Sequence, residues 1–307
     1  MRIFSFRTAA HAALLTVALG LTAVTAPKIQ AAPKAKAAPK NQAQFTVLPN
    51  APGAVQTSPL SINNQGQIVG NYFDADFNFS AYLYDNGVYT ILDVPGALYT
   101  GVGAINDRGQ IVGTSYNADF NRTIFLYDKG VYTTLPALPA PFGATFFTSA
   151  GLNNRGQIVG NSFDADLNST GFLYDNGQYT FLDAPGATST YVRGINERGQ
   201  IVGIYYDADF NPHGYLYDNG VYTTLDAPGA VFGTFALGIN NRGEVLGYYF
   251  DESFNYRGFV YQNGVYTNLP APTGALEYVV YALNDRGQIS GTYYDNDFNP
   301  ISFILTR

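Results

Sequence analysis

The residues best placed to do chemistry recur as acidic clusters. Asp74, Asp76 and Asn78 form one, and Asp164, Asp166 and Asn168, Asp207, Asp209 and Asn211, and Asp295, Asp297 and Asn299 repeat it, with looser versions at Asn117, Asp119 and Asn121 and at Asp251 and Asn255. Alternate positions can turn three oxygens to one side, and calcium takes six to eight oxygen ligands. The pattern lacks the sixth-position glycine and the distal glutamate of a calcium loop, and Phe79, Arg122, Ser169, Pro212, Tyr256 and Pro300 stand at that sixth position. The other reading is a tight turn in which Asp and Asn bond their own backbone amides and the intervening Phe packs inward. Turn chemistry is the expectation, and calcium is the one cofactor the sequence suggests.

Nucleophilic and acid–base catalysis find little support. The chain has no cysteine, which excludes disulfides, thiolate catalysis and cysteine-ligated metals. Beyond the N-terminal leader His213 is the sole histidine, and no Gly-x-Ser-x-Gly elbow accompanies it. Acid pairs of the kind used in glycoside hydrolysis are too numerous to single out. No catalytic residue is assigned, although an asymmetric cluster with His213, Arg193 or Arg122 at the channel mouth would favour an enzyme, whereas six equivalent shallow pockets would favour a lectin-like binder. Aromatic residues offer binding instead. Tyr99, Phe142, Phe147, Tyr191, Phe232 and Tyr278 are expected to be exposed and, with Arg193 and His213, make up the candidate ligand-binding set. The absence of tryptophan weakens sugar stacking without excluding it, since tyrosine offers a smaller platform.

A repeat must position these groups. INDRGQIVG at 105–113 recurs from Ile62, Leu152, Ile195, Ile239 and Leu283, six copies spaced 43 to 47 residues apart. That period fits four-stranded propeller blades. Within each copy, apolar residues alternate or cluster in short β-branched and aromatic runs, punctuated by Gly or Asn-Gly. In the copy from Tyr191, the strands read YVRGIN, QIVGIYY, HGYLYD and VYTTLD, with turns at Asn196–Gly199, Asp207–Asn211 and Asn219-Gly220. The sixth copy ends at ISFILTR after its third strand, and residues 45–54, FTVLPNAPGA, match the missing fourth strand and its exit. The expected fold is therefore all-β, a six-bladed β-propeller of four-stranded antiparallel blades, its ring closed by the N-terminal strand completing the last blade. Closure removes free sheet edges.

These motifs, with Asn-x-x-Gly-Gln-x-x-Gly and Phe-Leu-Tyr-x-x-Gly spanning residues 45–307, resemble the HAF family of bacterial extracellular repeat proteins. The His-Ala-Phe triplet that names the family reads Ser80-Ala81-Tyr82, Thr123-Ile124-Phe125, Thr170-Gly171-Phe172, His213-Gly214-Tyr215, Arg257-Gly258-Phe259 and Ile301-Ser302-Phe303 here, so no copy is complete. The resemblance implies an extracellular, propeller-like protein and no particular activity.

Residues 1–31 read as a signal peptide, with Arg2 and Arg7 before a short apolar run over 12–26 that is too short to span a bilayer. Residues 32–44 read as a disordered Pro/Ala/Lys linker, and 45–307 as the propeller. The protein is thus expected to be secreted, periplasmic or extracellular, with no membrane span after signal cleavage. Six of the sixteen bases precede residue 45, which leaves a net charge of about −13 on the repeat region and argues against nucleic acid as a partner. The acids concentrate in the second-to-third strand turns and at Asp93, Asp183 and Asp226 in the exits, all on one face of the ring. The arginines of the Asn-x-Arg-Gly turns are read as bridges between blades or as solvent-facing residues. The innermost strands look small and uniform, which disfavours a catalytic pocket. The resulting expectation is a binding or interaction module for an unknown ligand, carbohydrate or protein. Its alternatives are a polysaccharide-acting lyase or hydrolase and a calcium-stabilised structural surface protein.

Overall fold

The computed structural model describes residues 43–139 and 146–307, apart from the side chains of 146 and 147. The signal peptide and nearly all of the linker thus lie outside the described residues. Those that are described form six four-stranded antiparallel sheets and contain no helix. Blade four shows the pattern. Its strands Ser189–Ile195, Ile201–Tyr206, Pro212–Asp218 and Val221–Leu225 pair in chain order. The first strand lies innermost, against the first strands of the neighbouring blades.

Blade six is completed as the sequence predicts. Its strands Glu277–Leu283, Gln288–Tyr294 and Pro300–Thr306 are joined by Gln44–Val47, with Gln44 opposite Thr306 and Val47 opposite Phe303. The strand starts at Gln44, one residue inside the expected linker, because Gln44 still finds a backbone partner there. Phe45 packs edge-on against Phe303 at 5.4 Å, and Leu48 is buried with Ile62, Ile68 and Tyr82 of blade one.

Two motif positions set the core. The last glycine of each Gly-Gln-x-x-Gly run, Gly-Glu-x-x-Gly in blade five, faces an aromatic residue on the third strand, in the pairs Gly70–Tyr82, Gly113–Phe125, Gly160–Phe172, Gly203–Tyr215, Gly247–Phe259 and Gly291–Phe303. The six rings are the largest fully buried side chains. A Cβ at Gly203 would fall 1.9 Å from the Tyr191 carbonyl oxygen and 2.8 Å from the Tyr215 hydroxyl, so only glycine lets the ring lie flat across the strand. The third residue of the triplet is therefore a packing residue. Its first position varies freely because it lies nearer the surface.

The hairpins follow their sequence signals. Asn219 and Gly220 have φ of 48° and 89°, the paired positive values of a type I′ turn. Gly199 closes the Asn196–Gly199 turn at φ 79°, with its amide donating to the Asn196 carbonyl at 3.1 Å. Among the described residues no helix is long and apolar enough to cross a membrane.

Candidate functional site

The first candidate is the centre of the ring. The first Asn of each motif is buried and saturated with hydrogen bonds. Asn196 Oδ1 accepts from the amides of Arg198 and Gln200 at 3.0 and 3.1 Å, and its Nδ2 donates to Gln200 Oε1 at 2.8 Å and to the Asn240 carbonyl of the next blade at 3.1 Å. The same inter-blade bond runs from Asn63 to Asn106, Asn106 to Asn153, Asn153 to Asn196, Asn240 to Asn284 and Asn284 to Asn63, closing a circle. Gln200 in turn donates to Asp218 at 2.9 Å, tying the circle to the outer hairpin. Polar groups buried in this way stabilise only when every donor and acceptor is met.

A second circle sits one residue further along, made by Asn64, Asp107, Asn154, Glu197, Asn241 and Asp285. Each backbone amide donates to the side-chain oxygen of the next blade's residue at 2.7–2.8 Å, from Asn64 to Asp107 and onward to Asp285, which returns to Asn64. Carboxamides and carboxylates alternate around it. Asn64 Nδ2 accordingly reaches a carboxylate on each side, Asp107 at 2.9 Å and Asp285 at 2.7 Å. The sequence reading missed this circle, although its signal is present as the alternation of Asn with Asp or Glu at the third position of INNQG, INDRG, LNNRG, INERG, INNRG and LNDRG.

Beneath these circles each innermost strand carries a bulge. The shifts between Pro59 and Ser61, Val102 and Ala104, Ser149 and Gly151, Val192 and Gly194, Ala236 and Gly238, and Val280 and Ala282 leave Leu60, Gly103, Ala150, Arg193, Leu237 and Tyr281 unpaired. All six line a central cavity of about 130 Å³ that opens at the Asn/Asp circle. This corrects the expectation of small, uniform inner strands. The bulged residues are unequal in size, from Gly103 and Ala150 to Arg193 and Tyr281, and the larger ones turn aside: Leu237 packs against the core that Val260 and Leu283 share, and the Arg193 guanidinium carbon lies 6.0 Å from the centre of the Tyr191 ring.

His213, Arg193 and Arg122 do not converge. Of the three, Arg193 alone is among the residues that line the cavity. His213 lies on the third strand of blade four, its Nδ1 3.0 Å from Asp226 and its Nε2 3.4 Å from Asp207, stacked on Tyr205 at 5.0 Å. It links the acidic turn of its blade to the exit. Arg122 bonds and overlies Tyr116. Arg155, Arg198 and Arg242 keep their side-chain hydrogen bonds within their own blades and lie near the glycine turn of the next blade. Arg198 donates to Gln200 Oε1 at 3.0 Å, and its Nη2 would come 2.8 Å from a Cβ at Gly243 of the next blade.

The second candidate is the opposite face, formed by the acidic turns and the blade exits. Asp74 Oδ1 accepts from the amides of Asp76 and Asn78, both at 2.9 Å, and Asn78 Nδ2 donates to Asp74 Oδ2 at 2.9 Å. Asp164 with Asn168, Asp207 with Asn211 and Asp295 with Asn299 repeat this arrangement. These are the backbone-bonded turns of the turn reading. Calcium would have to displace those bonds, and among the described residues no three His, Asp or Glu side chains are placed to hold a metal ion.

One detail of the turn reading is reversed. The intervening apolar residue points outward. Phe77, Phe120, Leu167, Phe210, Phe254 and Phe298 range from 62% exposed at Leu167 to 79% at Phe120. All sit in left-handed backbone, with φ between 60° and 66°. The turn places this position at its tip, where no core is within reach. Phe232 stands among them, about half exposed and 4.9 Å from Phe254.

The other predicted aromatics are tied into the scaffold. Tyr99 stacks on Phe79 of the preceding blade at 4.5 Å, and burial pushes its hydroxyl up to about 12. Tyr191 packs edge-on to Phe163 and Tyr206, both at 5.9 Å. Tyr278 is buried, contrary to its expected exposure. Its hydroxyl accepts from the Gly258 amide at 3.2 Å and donates to the Leu269 carbonyl, so it joins blades five and six. Phe142 and the side chain of Phe147 lie outside the described residues.

The turn carboxylates carry a pH signature. Bonds from Asn78 hold Asp74 below the usual carboxylate range, those from Asn168 do the same for Asp164, and those from Asn299 for Asp295. The Asn255 amide, helped by Arg257, draws Asp251 down to about 2. A folded-state pKa below the unfolded one contributes stability above the unfolded value, and that contribution disappears as pH falls through the folded value. The melting temperature (Tm) is expected to stay level from pH 7 to 5 and to drop between about pH 4 and 2. Thermal scans across this range test the assignment, and a Tm that falls mainly above pH 5 contradicts it.

With the geometry in place, the class is clear. The chain is a six-bladed β-propeller. No protein family matches the sequence, and neither does any curated protein. Solved structures resemble it in fold. The Aleuria aurantia lectin bound to a fucosylated GlcNAc has a TM-score of 0.51 at 13% identity, covering 83% of this chain and 92% of the lectin. The propeller domain of a trilobed protease from Pyrococcus furiosus gives 0.56 at 11%, covering 81% of each. A gluconolactonase from Xanthomonas campestris gives 0.52 at 12%, covering 87% of this chain and 90% of the enzyme. At these identities the likeness concerns the fold alone.

Proposed function

We propose that this protein is an exported, non-catalytic binding module of the HAF repeat type that holds a neutral polysaccharide on its acidic-turn face. The observation that carries this reading is the set of six equivalent apolar tips on that face. A bulky residue at positive φ costs about 1 kcal/mol relative to glycine, and its exposure to water gains nothing for folding. A position that is strained, exposed and filled six times by Phe or Leu is accounted for by contact with something outside the chain.

The chemistry of the tips selects the ligand. Five of the six carry an Asp immediately before the apolar residue, at Asp76, Asp119, Asp166, Asp209 and Asp297, and blade five has Ser253 instead. A ring flanked by a carboxylate offers a flat apolar surface beside a hydrogen-bond acceptor, which suits the CH face and hydroxyls of a sugar. The strong negative charge of the repeat region disfavours anionic polymers. Six weak sites arranged in a ring favour a long, repeating ligand through effective concentration. The lectin among the structural neighbours agrees with a carbohydrate role.

Replacing Phe77, Phe120, Leu167, Phe210, Phe254 and Phe298 together by Asn, which tolerates left-handed backbone, tests the reading. Retention on immobilised neutral polysaccharides is expected to fall at least tenfold while Tm holds or rises. Undiminished retention, or a native protein that binds no polysaccharide in a broad panel, overturns it.

A further inference from the structure

The acidic-turn face is uneven at one place, the junction of blades four and five. In the exits that enter blades two, four, five and six, Leu98, Thr188, Val231 and Leu276 donate their amides to the carbonyl that ends the second strand of the blade being entered, at Tyr116, Tyr206, Phe250 and Tyr294. The next residue starts the innermost strand in blades two, four and six, at Tyr99, Ser189 and Glu277, but in blade five that strand starts only at Thr234. The buried threonines of these exits show why. Thr100 and Thr190 accept from the amides of Val94 and Ala184, six residues back, whereas Thr234 accepts from Ala227, seven back, so this exit carries one extra residue. Gly233 accommodates it. Its φ is 81°, and a Cβ there would fall 1.8 Å from the Pro212 carbonyl oxygen, so only glycine fits. Phe232 is thereby left outside the strand, 48% exposed, with its ring 4.9 Å from that of the Phe254 tip and inclined to it by 42°. Among the described residues none of Phe77, Phe120, Phe210 and Phe298 stands against another ring. The polar surroundings differ too. Blade five reads Asp251-Glu252-Ser253-Phe254-Asn255, so the acid that precedes the apolar tip in the other blades moves one residue back and a hydroxyl takes its place. Arg257 pairs with Asp251 at 2.7 Å, and His213 lies 3.0 Å from Asp226 at the start of the same exit.

We propose that Phe232 and Phe254 form the principal subsite of the polysaccharide face, and that it takes an extended β1,4-linked chain of neutral pyranoses with equatorial hydroxyls, of the glucan or xylan type. This subsite presupposes the polysaccharide reading and gives it a position and a chain type. Two rings in contact present a longer apolar strip than a single tip, and aromatic faces bury apolar surface at little cost in side-chain freedom. Equatorial pyranoses carry their hydroxyls at the ring edge and leave their CH faces bare, and β1,4 linkage keeps those faces accessible along an extended chain. An α1,4-linked glucan coils and departs from such a strip. The 42° inclination suits a chain in solution, whose successive sugars are rotated against each other, and not the flat face of a crystal. Ser253 can both donate to and accept from sugar hydroxyls, where a carboxylate only accepts.

The test is calorimetric titration of the native protein and its variants with cellotetraose, xylotetraose and maltotetraose, beside retention on the immobilised polysaccharide panel. A tetrasaccharide forgoes the gain from linked sites, so its affinity reports a single subsite. The native protein is expected to bind cellotetraose or xylotetraose about tenfold more tightly than maltotetraose. Phe232→Ala, at an exposed position, is expected to lower that affinity about tenfold with Tm unchanged, whereas Phe120→Asn lowers it no more than about twofold. Phe254→Asn is expected to match Phe232→Ala, and the double variant to lose less than the product of the two, because neighbours on one platform are coupled. Equal losses in Phe120→Asn and Phe232→Ala, a preference for maltotetraose, or retention on polysaccharide without tetrasaccharide binding overturns the subsite and leaves the polysaccharide reading standing. A native protein retained on no polysaccharide overturns both.

Discussion

Asn196→Ala is expected to lower Tm by about 10 °C. The substitution removes four hydrogen bonds at once and leaves the Arg198 and Gln200 amides without their acceptor in a part-buried setting, while the Asn240 carbonyl keeps only the Gly243 amide. Each buried polar group stranded in this way costs about 1–3 kcal/mol, and a domain of this size loses about 2–4 °C per kcal/mol. Asn196→Asp separates the two roles of the side chain. It retains the oxygen that accepts from the turn amides but loses both donors, so its Tm is expected to fall between those of the native protein and the alanine variant. Circular dichroism melts of the three proteins measure this order. A loss under 2 °C in Asn196→Ala would mean that backbone bonds alone hold the turn, and the circle would be a consequence of the fold and not a cause.

Deletion of residues 1–48 is expected to be more damaging. It removes Gln44–Val47 from the edge of Pro300–Thr306, the Phe45 contact with Phe303, and Leu48 from the core beneath blade one. It also removes the Leu48 amide that donates to the Ser302 carbonyl at 2.9 Å. Blade six would then present a bare edge of hydrogen-bonding groups, which recruits other strands. The truncated protein is expected to melt at least about 15 °C lower and to elute as multimers in size-exclusion chromatography. A peptide covering residues 43–50, added in trans, is expected to restore the monomer by strand addition. A monomeric truncation with native Tm would show that the ring is held by its central circles and needs no closing strand.

The fold was legible because its determinants are local and repeated. Gly-Gln-x-x-Gly, with Glu244 for Gln in blade five, and an aromatic residue on the next strand specify a close crossing that recurs six times, and the orphan strand at 45–54 announced how the ring closes. The site was less legible. Whether the Phe in Asp-x-Asp-Phe-Asn points inward or outward depends on where the turn tip lies relative to the core, and sequence does not encode that distance. The bulges escaped notice because inserting one residue into a strand leaves the alternation of Val192-Arg193-Gly194 looking ordinary. Tyr278 was misjudged as exposed because it stands where blades one, two, four and five carry Thr57, Thr100, Thr190 and Thr234, and its longer side chain reaches across to blade five.

The alternating circle of Asn64, Asp107, Asn154, Glu197, Asn241 and Asp285 also counts. Each carboxylate stands between carboxamides, so the true period of the ring is two blades, and six blades make three such pairs. Insertion or loss of a single blade would set two carboxylates side by side with no donor between them, or two carboxamides with a donor left over. Only even blade numbers satisfy the pattern. A propeller of this sequence type can therefore grow or shrink by pairs of blades, and the parity of its blade number is written in one residue of each repeat.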